Sequence, residues 1–415
     1  MKLRNILLLV FGLSLSTLIY ADDYSETEIF VELIHHINDP LKLKTLSLSL
    51  NSDFQLASVQ QIRKLVSINN DTSKYDEIIE SGIVPVLVKL LKSNNSDVIY
   101  EAVWTITNLA SGTSEQTQSV VESDAIPSLI DLLEYNNTAI KNQAIWALSN
   151  IIGDENPDYR DYCIELGILP KLMKFIDANY SMSFLRDVAW TMVNLCRPKN
   201  PRISIQNVQT LLPGFKKLLN HHDATIVSDS LWGLAYITQT NTTNVEKENI
   251  QVILNDEIIV KRVIKLLTHP DVKIKSPSIR IIGNIVSGTD KQTQKMLDYG
   301  ILTDIKEMLN FWNSDQIMKD IFWTLSNILA GPIEQANAVF DADIFSNILE
   351  YSDTEDIKIK NELIWCIRNA ARYNEILKTM MEMGVIKSLC EMLKDIDGVD
   401  DDEVKGSRDA GVSEM

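Results

Sequence analysis

A chain of 415 residues with 39 Lys+Arg against 57 Asp+Glu, a formal net charge of −18, is too long for one ordinary hydrophobic core. It is also too acidic to attract nucleic acid without a concentrated basic patch, which the sequence lacks, and so favours basic partners. Hydrophobic residues at 45% and charged residues at 23% are near soluble globular averages, whereas only 15 Gly and 11 Pro speak against all-β sandwiches and Gly-rich nucleotide loops and towards helix.

The amino terminus has the layout of a secretory signal peptide: Lys2 and Arg4, a mostly apolar run from Ile6 to Tyr20, and Ala21 before Asp22 and Asp23. Its 15 residues are short for a membrane span, so no stable membrane insertion is expected, and Ile19 stands where a cleavage site favours a small residue. Five Asn-x-Ser/Thr sequons, at Asn70, Asn94, Asn136, Asn179 and Asn241, are compatible with secretion. Residues 22–53 read as a linker, and Phe54 to Ile68 as a degenerate first unit that caps a repeat array.

From there one phrase recurs: Glu101-Ala-Val-Trp104-Thr-Ile-Thr-Asn108, then its counterparts around Trp146, Trp190, Trp232, Arg280, Trp323 and Trp365, at steps of 42, 44, 42, 48, 43 and 42 residues. That period belongs to all-α solenoids with two or three helices per unit. A unit opens near a segment such as Gly82 to Pro85, Ala125 to Pro127 or Gly167 to Pro170, where proline is tolerated at a helix start. Next come a polar loop and the long helix that carries the phrase. The helix stops at Ser111-Gly112 or Ser287-Gly288, where glycine is expected in the left-handed C-terminal conformation. Val385 to Leu393 begins an eighth unit, the repeat domain is placed at 54–394, and 395–415 reads as an acidic disordered tail. Cys163, Cys196, Cys366 and Cys390 lack C-x-x-C spacing and read as buried free thiols.

Advancing 100° per residue from Glu101 puts Trp104 near 300° and Asn108 near 340°, roughly opposite the apolar stripe of Ala102, Val103, Ile106, Leu109 and Ala110. Gln143, Trp146 and Asn150 repeat those angles. A core role does not explain several tryptophans recurring on the polar side beside an asparagine. Stacked units would align these faces into one ladder. Each Asn amide there could meet the N–H and C=O of an extended peptide, and a Lys or Arg stem could pack between indoles. Acids three before the Trp (Asp187, Asp229, Asp320, Glu362), with Asp154 and Asp290 past helix ends, would receive the cationic heads. Tyr236 in place of Asn and Arg280 in place of Trp interrupt the ladder. Two stretches result, Trp104 to Asn194 and Trp323 to Asn369, for an extended Lys/Arg-rich peptide.

From about Phe54 to Leu393 these residues resemble the armadillo domain of importin alpha, the adaptor that recognises nuclear localisation signals. The resemblance is most specific in Trp104 to Thr117, Asn194 to Pro201 and Arg280 to Asp290. It implies an armadillo-repeat, right-handed superhelical solenoid with a concave Trp/Asn surface. It further implies a major site of Trp104, Asn108, Trp146, Asn150, Trp190 and Asn194, with Asp154 pairing the key lysine and Gly112 and Thr117 lining its pocket. The implied minor site uses Trp323, Asn327, Trp365, Asn369 and Glu362, with Asn284 and Thr293 nearby. Asp187 stands where the family usually has Asn.

Family members begin with a basic segment that binds importin beta. Residues 1–53 hold only Lys2, Arg4, Lys42 and Lys44, which weighs against importin beta as a partner. The chain also ends after the first part of its last unit, which weighs against export recycling. No catalytic signature is present, and His35-His36 and His221-His222 are poorly disposed for metal, so neither enzyme, cofactor nor metal is expected. The expected function is a nuclear import adaptor of cytoplasm and nucleus. The alternatives are a secreted or import-uncoupled armadillo binder, or a general armadillo scaffold.

Overall fold

Nine residues before each of Trp104, Trp146, Trp232, Arg280 and Trp365 stands an Asn or Asp: Asn95, Asn137, Asp223, Asp271 and Asp356. Each side chain accepts at least one N–H from the first turn beyond it, a cap whose replacement by Ala costs about 1 kcal/mol. These caps start the long helices Ser96–Leu109, Thr138–Gly153, Ala224–Thr238, Val272–Val286 and Ile357–Ala370. Met182–Cys196 and Asp315–Leu329 carry Trp190 and Trp323 in the same way. In the computed structural model the described residues are 26–67, 73–239, 244–311 and 313–393. The apolar segment 1–21, the sequons at Asn70 and Asn241, and the tail 395–415 lie outside them. Among the described residues there is no strand, and no helix is long and apolar enough to cross a membrane.

The chain divides into two compact units, one reaching Leu195 and including Lys199–Pro201, the other holding Cys196–Pro198 and the residues from Arg202 onward. In the first, short helix pairs precede the long ones: Ser73–Glu80 with Val84–Leu90, Ser114–Glu122 with Ala125–Leu132, and Pro157–Glu165 with Ile168–Asp177. The turn into the second member of a pair needs a left-handed residue. Gly82 and Gly167 supply φ of 70° and 83°, and Asp124 does so at 61°. In the second unit Ile205–Leu218 precedes the Trp232 helix. Asn244–Leu254 with Glu257–Leu266, Asp290–Asp298 with Ile301–Asn310, and Ile333–Asp341 with Phe345–Glu350 precede the others.

The apolar arc read from the Trp104 helix is the core: Ala102, Val103, Ile106 and Leu109 are fully buried. Pro277, inside the Arg280 helix, has no N–H for the carbonyl four residues back. Ser228 of the preceding long helix donates its hydroxyl to that carbonyl, Lys273 O, at 2.8 Å.

Three expectations are corrected. Residues 26–53 are not linker: Glu26–Ile34 and Pro40–Ser47 are helices packed on Ser52–Leu65, with the Phe30 and Phe54 rings 5.3 Å apart and Gln61 donating to Ile37 O at 3.0 Å. Pro40–Ser47 has little amphipathic pattern, which hid it. Gly112 and Gly288 are not left-handed. A Cβ at Gly112 would lie 1.9 Å from Gln116 Oε1, and one at Gly288 would lie 2.3 Å from Gln292 Oε1. Glycine is there to seat a glutamine amide that completes a capping box with Thr113 or Thr289. Finally, Cys163, Cys196 and Cys366 are buried but Cys390 is exposed, because it lies on the outward side of the Val385–Leu393 helix.

Candidate functional site: two tryptophan and asparagine surfaces

Large indoles ordinarily go inside, yet Trp146, Trp190 and Trp365 are 48%, 40% and 43% exposed, and Trp104 and Trp323 are half-buried. The helices that carry them are laced together by their asparagines. In the first unit Asn108 Nδ2 donates to Ser67 Oγ at 2.9 Å, Asn150 Nδ2 to Thr107 O at 3.1 Å, and Asn194 Nδ2 to Ser149 O at 3.0 Å. In the second, Asn284 Nδ2 donates to Ala235 O and Asn369 Nδ2 to Ser326 O, both at 2.9 Å. Asn327 instead folds onto its own helix, at Trp323 O.

Except at Asn327, the repeated asparagine therefore ties its long helix to the preceding long helix or to the residues just after it. One amide donor is spent, and what remains can face a ligand only where the side chain is open. Asn108, Asn150, Asn327 and Asn369 are half-buried. Asn194 and Asn284 are 3% and 4% exposed, so the expectation of an open amide at those two positions is corrected: the close approach of neighbouring backbones covers them.

The residues three before each Trp depart further from the helix-wheel reading. Gln143 is buried and donates to Thr107 Oγ1 at 2.8 Å. Glu101 and Asp320 are buried as well, Glu101 joined to Arg63 and Asp320 to Arg280 at 2.8 Å. These two carboxylates are occupied from within. Asp187 and Glu362 are half-buried. Burial pushes the Asp187 carboxyl up, against a hydrogen bond from Asn142, and pushes Glu362 up to about 7, with Lys319 and Arg280 opposing and Asp320 adding to the shift. Glu362 makes no hydrogen bond or ion pair among the described residues, and is the acid of this set best placed to gain from an incoming cation.

Asp154 caps the Trp146 helix at its C-terminal end, its Oδ1 accepting from Asn156 N at 2.9 Å, and Lys199 Nζ donates to Ile152 O just before it. Asp290, exposed, opens its own helix. Thr117 and Thr293 are buried, with hydroxyls donating to Ala110 O at 3.3 Å and Val286 O at 3.0 Å. They hold a helix end in place and offer no open hydroxyl. Gly112 lies at the same end, under the Gln116 amide that donates to Asp76 at 2.7 Å.

The structure adds one residue that sequence reading missed. Arg63, 41 residues before Trp104, lays its guanidinium 4.2 Å from the centroid of that ring. The near-42 spacing was the available signal.

Comparison with known proteins fits this construction. The Armadillo/beta-catenin-like repeat family matches residues 73–111, 113–153 and 156–197. Importin subunit alpha-3 of Caenorhabditis elegans is 52% identical over 205 residues, covering 49% of this chain and 38% of that protein. Importin subunit alpha-1a of Oryza sativa subsp. japonica is 34% identical, covering 74% and 57%, and importin subunit alpha-8 of Arabidopsis thaliana is 32% identical, covering 82% and 74%. The chain thus spans less than two thirds of the first two of these relatives. Among solved structures, an engineered protein is similar with TM-score 0.61 at 23% identity, covering 89% of this chain and 96% of its own. A designed armadillo repeat protein in complex with the peptide (KR)4 is similar with TM-score 0.52 at 24% identity, covering 60% and 99%. These two speak for the all-α armadillo fold alone.

Proposed function

The chain belongs to the importin subunit alpha family, and from that premise we propose that it is a nuclear import adaptor of cytoplasm and nucleus. It takes Lys/Arg-rich nuclear localisation signals of cargo proteins, extended along its two Trp/Asn surfaces. The observation that carries this reading is the exposure of Trp146 and Trp190 on helices locked together by Asn150 and Asn194. Fully burying a large apolar side chain is worth roughly 1.5–3 kcal/mol. Exposed indoles on a fixed frame therefore mark a place where another surface is to be covered.

The chemistry selects the ligand. An indole face attracts a cation, an aliphatic Lys or Arg stem is apolar enough to lie against it, and Asp154, Asp187 and Glu362 add negative charge at the margins. The designed armadillo protein that holds (KR)4 supports the same pairing of fold and ligand. The net charge of −18 adds long-range attraction for basic segments and repulsion for nucleic acid.

The test is fluorescence anisotropy of a labelled Lys-rich signal peptide on the full chain. Replacing Trp146 and Trp190 together by Ala is expected to weaken binding by roughly tenfold or more. Equal affinity in the double variant and the parent would reject the proposal.

A further inference from the structure

Two arginines already do, from within the chain, what a ligand's cation is proposed to do. Arg63 lies 4.2 Å from the Trp104 centroid and is ion-paired with Glu101, their side chains 19% and 12% exposed. Arg280 lies 5.6 Å from the Trp323 centroid and is ion-paired with Asp320 at 2.8 Å, the side chains 21% and 3% exposed. In both cases the guanidinium comes from the long helix before the first Trp of a run, and the carboxylate stands three residues before that Trp. Indole face, carboxylate and cation are all present before any ligand arrives.

Arg368 also lies over an indole, Trp365, at 4.4 Å. It comes from the same helix, is exposed, and is joined to no carboxylate among the described residues, so it can swing aside. Arg63 and Arg280 cannot do so cheaply, because leaving would strand a buried carboxylate.

We propose that Arg63 and Arg280 are register stops, internal cations that close the slot in front of Trp104 and of Trp323. A basic peptide then starts at the far side of that indole. This deepens the peptide-binding reading and rests on it. The planar, weakly hydrated guanidinium suits the task, since it can stack on the ring and bond the carboxylate at once. The number of ligand cations each run accepts is then set by the arginine as much as by the count of indoles.

The experiment uses the full chain, Arg63→Met to keep an aliphatic stem while freeing Glu101, and Arg63→Met with Glu101→Gln to remove both charges. Probes are a short Lys-rich peptide and versions extended at either end by one Lys or one Gln. In the parent the extra Lys should gain little over Gln. In Arg63→Met one extended peptide should gain roughly three- to tenfold, the range expected of a cation on an indole beside a carboxylate, and the double variant should lose that gain. Arg280→Met, with Trp146 and Trp190 replaced by Ala to silence the first run, gives the same reading in the second unit should Arg63→Met fail to fold. Short-peptide binding with an unchanged Lys/Gln ratio in both variants overturns the register stops. No binding of the short peptide to the parent overturns the peptide-surface reading itself, and this inference with it.

Discussion

Gly283 provides a way to move one indole without replacing any polar side chain of the site. A Cβ there would lie 2.4 Å from Trp323 Cζ3, 2.7 Å from Cε3 and 2.8 Å from Thr324 Oγ1. Carbon contacts settle near 3.5–4.0 Å, so Gly283→Ala has to push the ring back by about 1 Å. Two terms set the stability. Ala in a helix gains roughly 0.5–1 kcal/mol over Gly, and overpacking costs roughly 1–3 kcal/mol, leaving a net loss of about 1–2 kcal/mol. The larger consequence is for binding, because Trp323 begins the second run. With the first run silenced by Trp146→Ala and Trp190→Ala, Lys-rich peptide binding should weaken roughly three- to tenfold, measured by anisotropy. Gly233→Ala is the matched control. Its Cβ would meet the Phe215 ring at 2.6 Å, in the core of the same unit and with no contact to Trp323. If Gly283→Ala binds like the parent, or Gly233→Ala weakens binding equally, the placement of Trp323 is not what peptide affinity depends on.

The Glu362 carboxyl, held up to about 7 by burial, binds its proton more tightly folded than unfolded, so stability falls as pH rises from the ordinary carboxylate range to about 7 and is level above it. Glu362→Gln should remove that part of the slope when urea midpoints are compared from about pH 5 to about pH 8. Asp229, held up to about 6, contributes equally to both proteins, so an identical slope in parent and variant would refute the assignment. Gly112→Ala should cost about 2 kcal/mol by displacing Gln116 from Thr113 N and Asp76, at 3.0 and 2.7 Å. In a Gln116→Ala background the same substitution should be neutral or stabilising. A double-mutant cycle by urea unfolding measures the difference, and simple additivity would show that the glutamine is not what requires the glycine.

The repeat was legible because tryptophan and asparagine recur at a spacing close to 42 residues, and caps nine residues before the ladder position reinforce it. The residue three before each Trp was misread for a definable reason. A helix wheel describes one helix in solvent, and on it Glu101 sits between the apolar arc and Trp104. The neighbouring long helix covers that border, so Glu101, Gln143 and Asp320 are buried and paired across it. Asn194 and Asn284 were misplaced by the same omission. Gly112 was misread because glycine after a helix suggests left-handed backbone, whereas the constraint is a glutamine four residues later in sequence and directly over its Cα.

The arginines arise from this border as well. The place in one long helix that faces both the next Trp and the acid three residues before it is filled by Arg63 ahead of Trp104 and by Arg280 ahead of Trp323. Before Trp365 the corresponding position is another indole, Trp323, and Glu362 makes no ion pair among the described residues, with Lys319 and Arg280 acting on it only from a distance. The acid is therefore ion-paired internally where an arginine precedes it, at Glu101 and Asp320, whereas Glu362, preceded by a tryptophan, makes no ion pair among the described residues. On this logic Trp323→Arg should pair with Glu362, bring its carboxyl back toward the ordinary range and shorten the second run by one slot, three consequences that a purely structural role for Trp323 would not link.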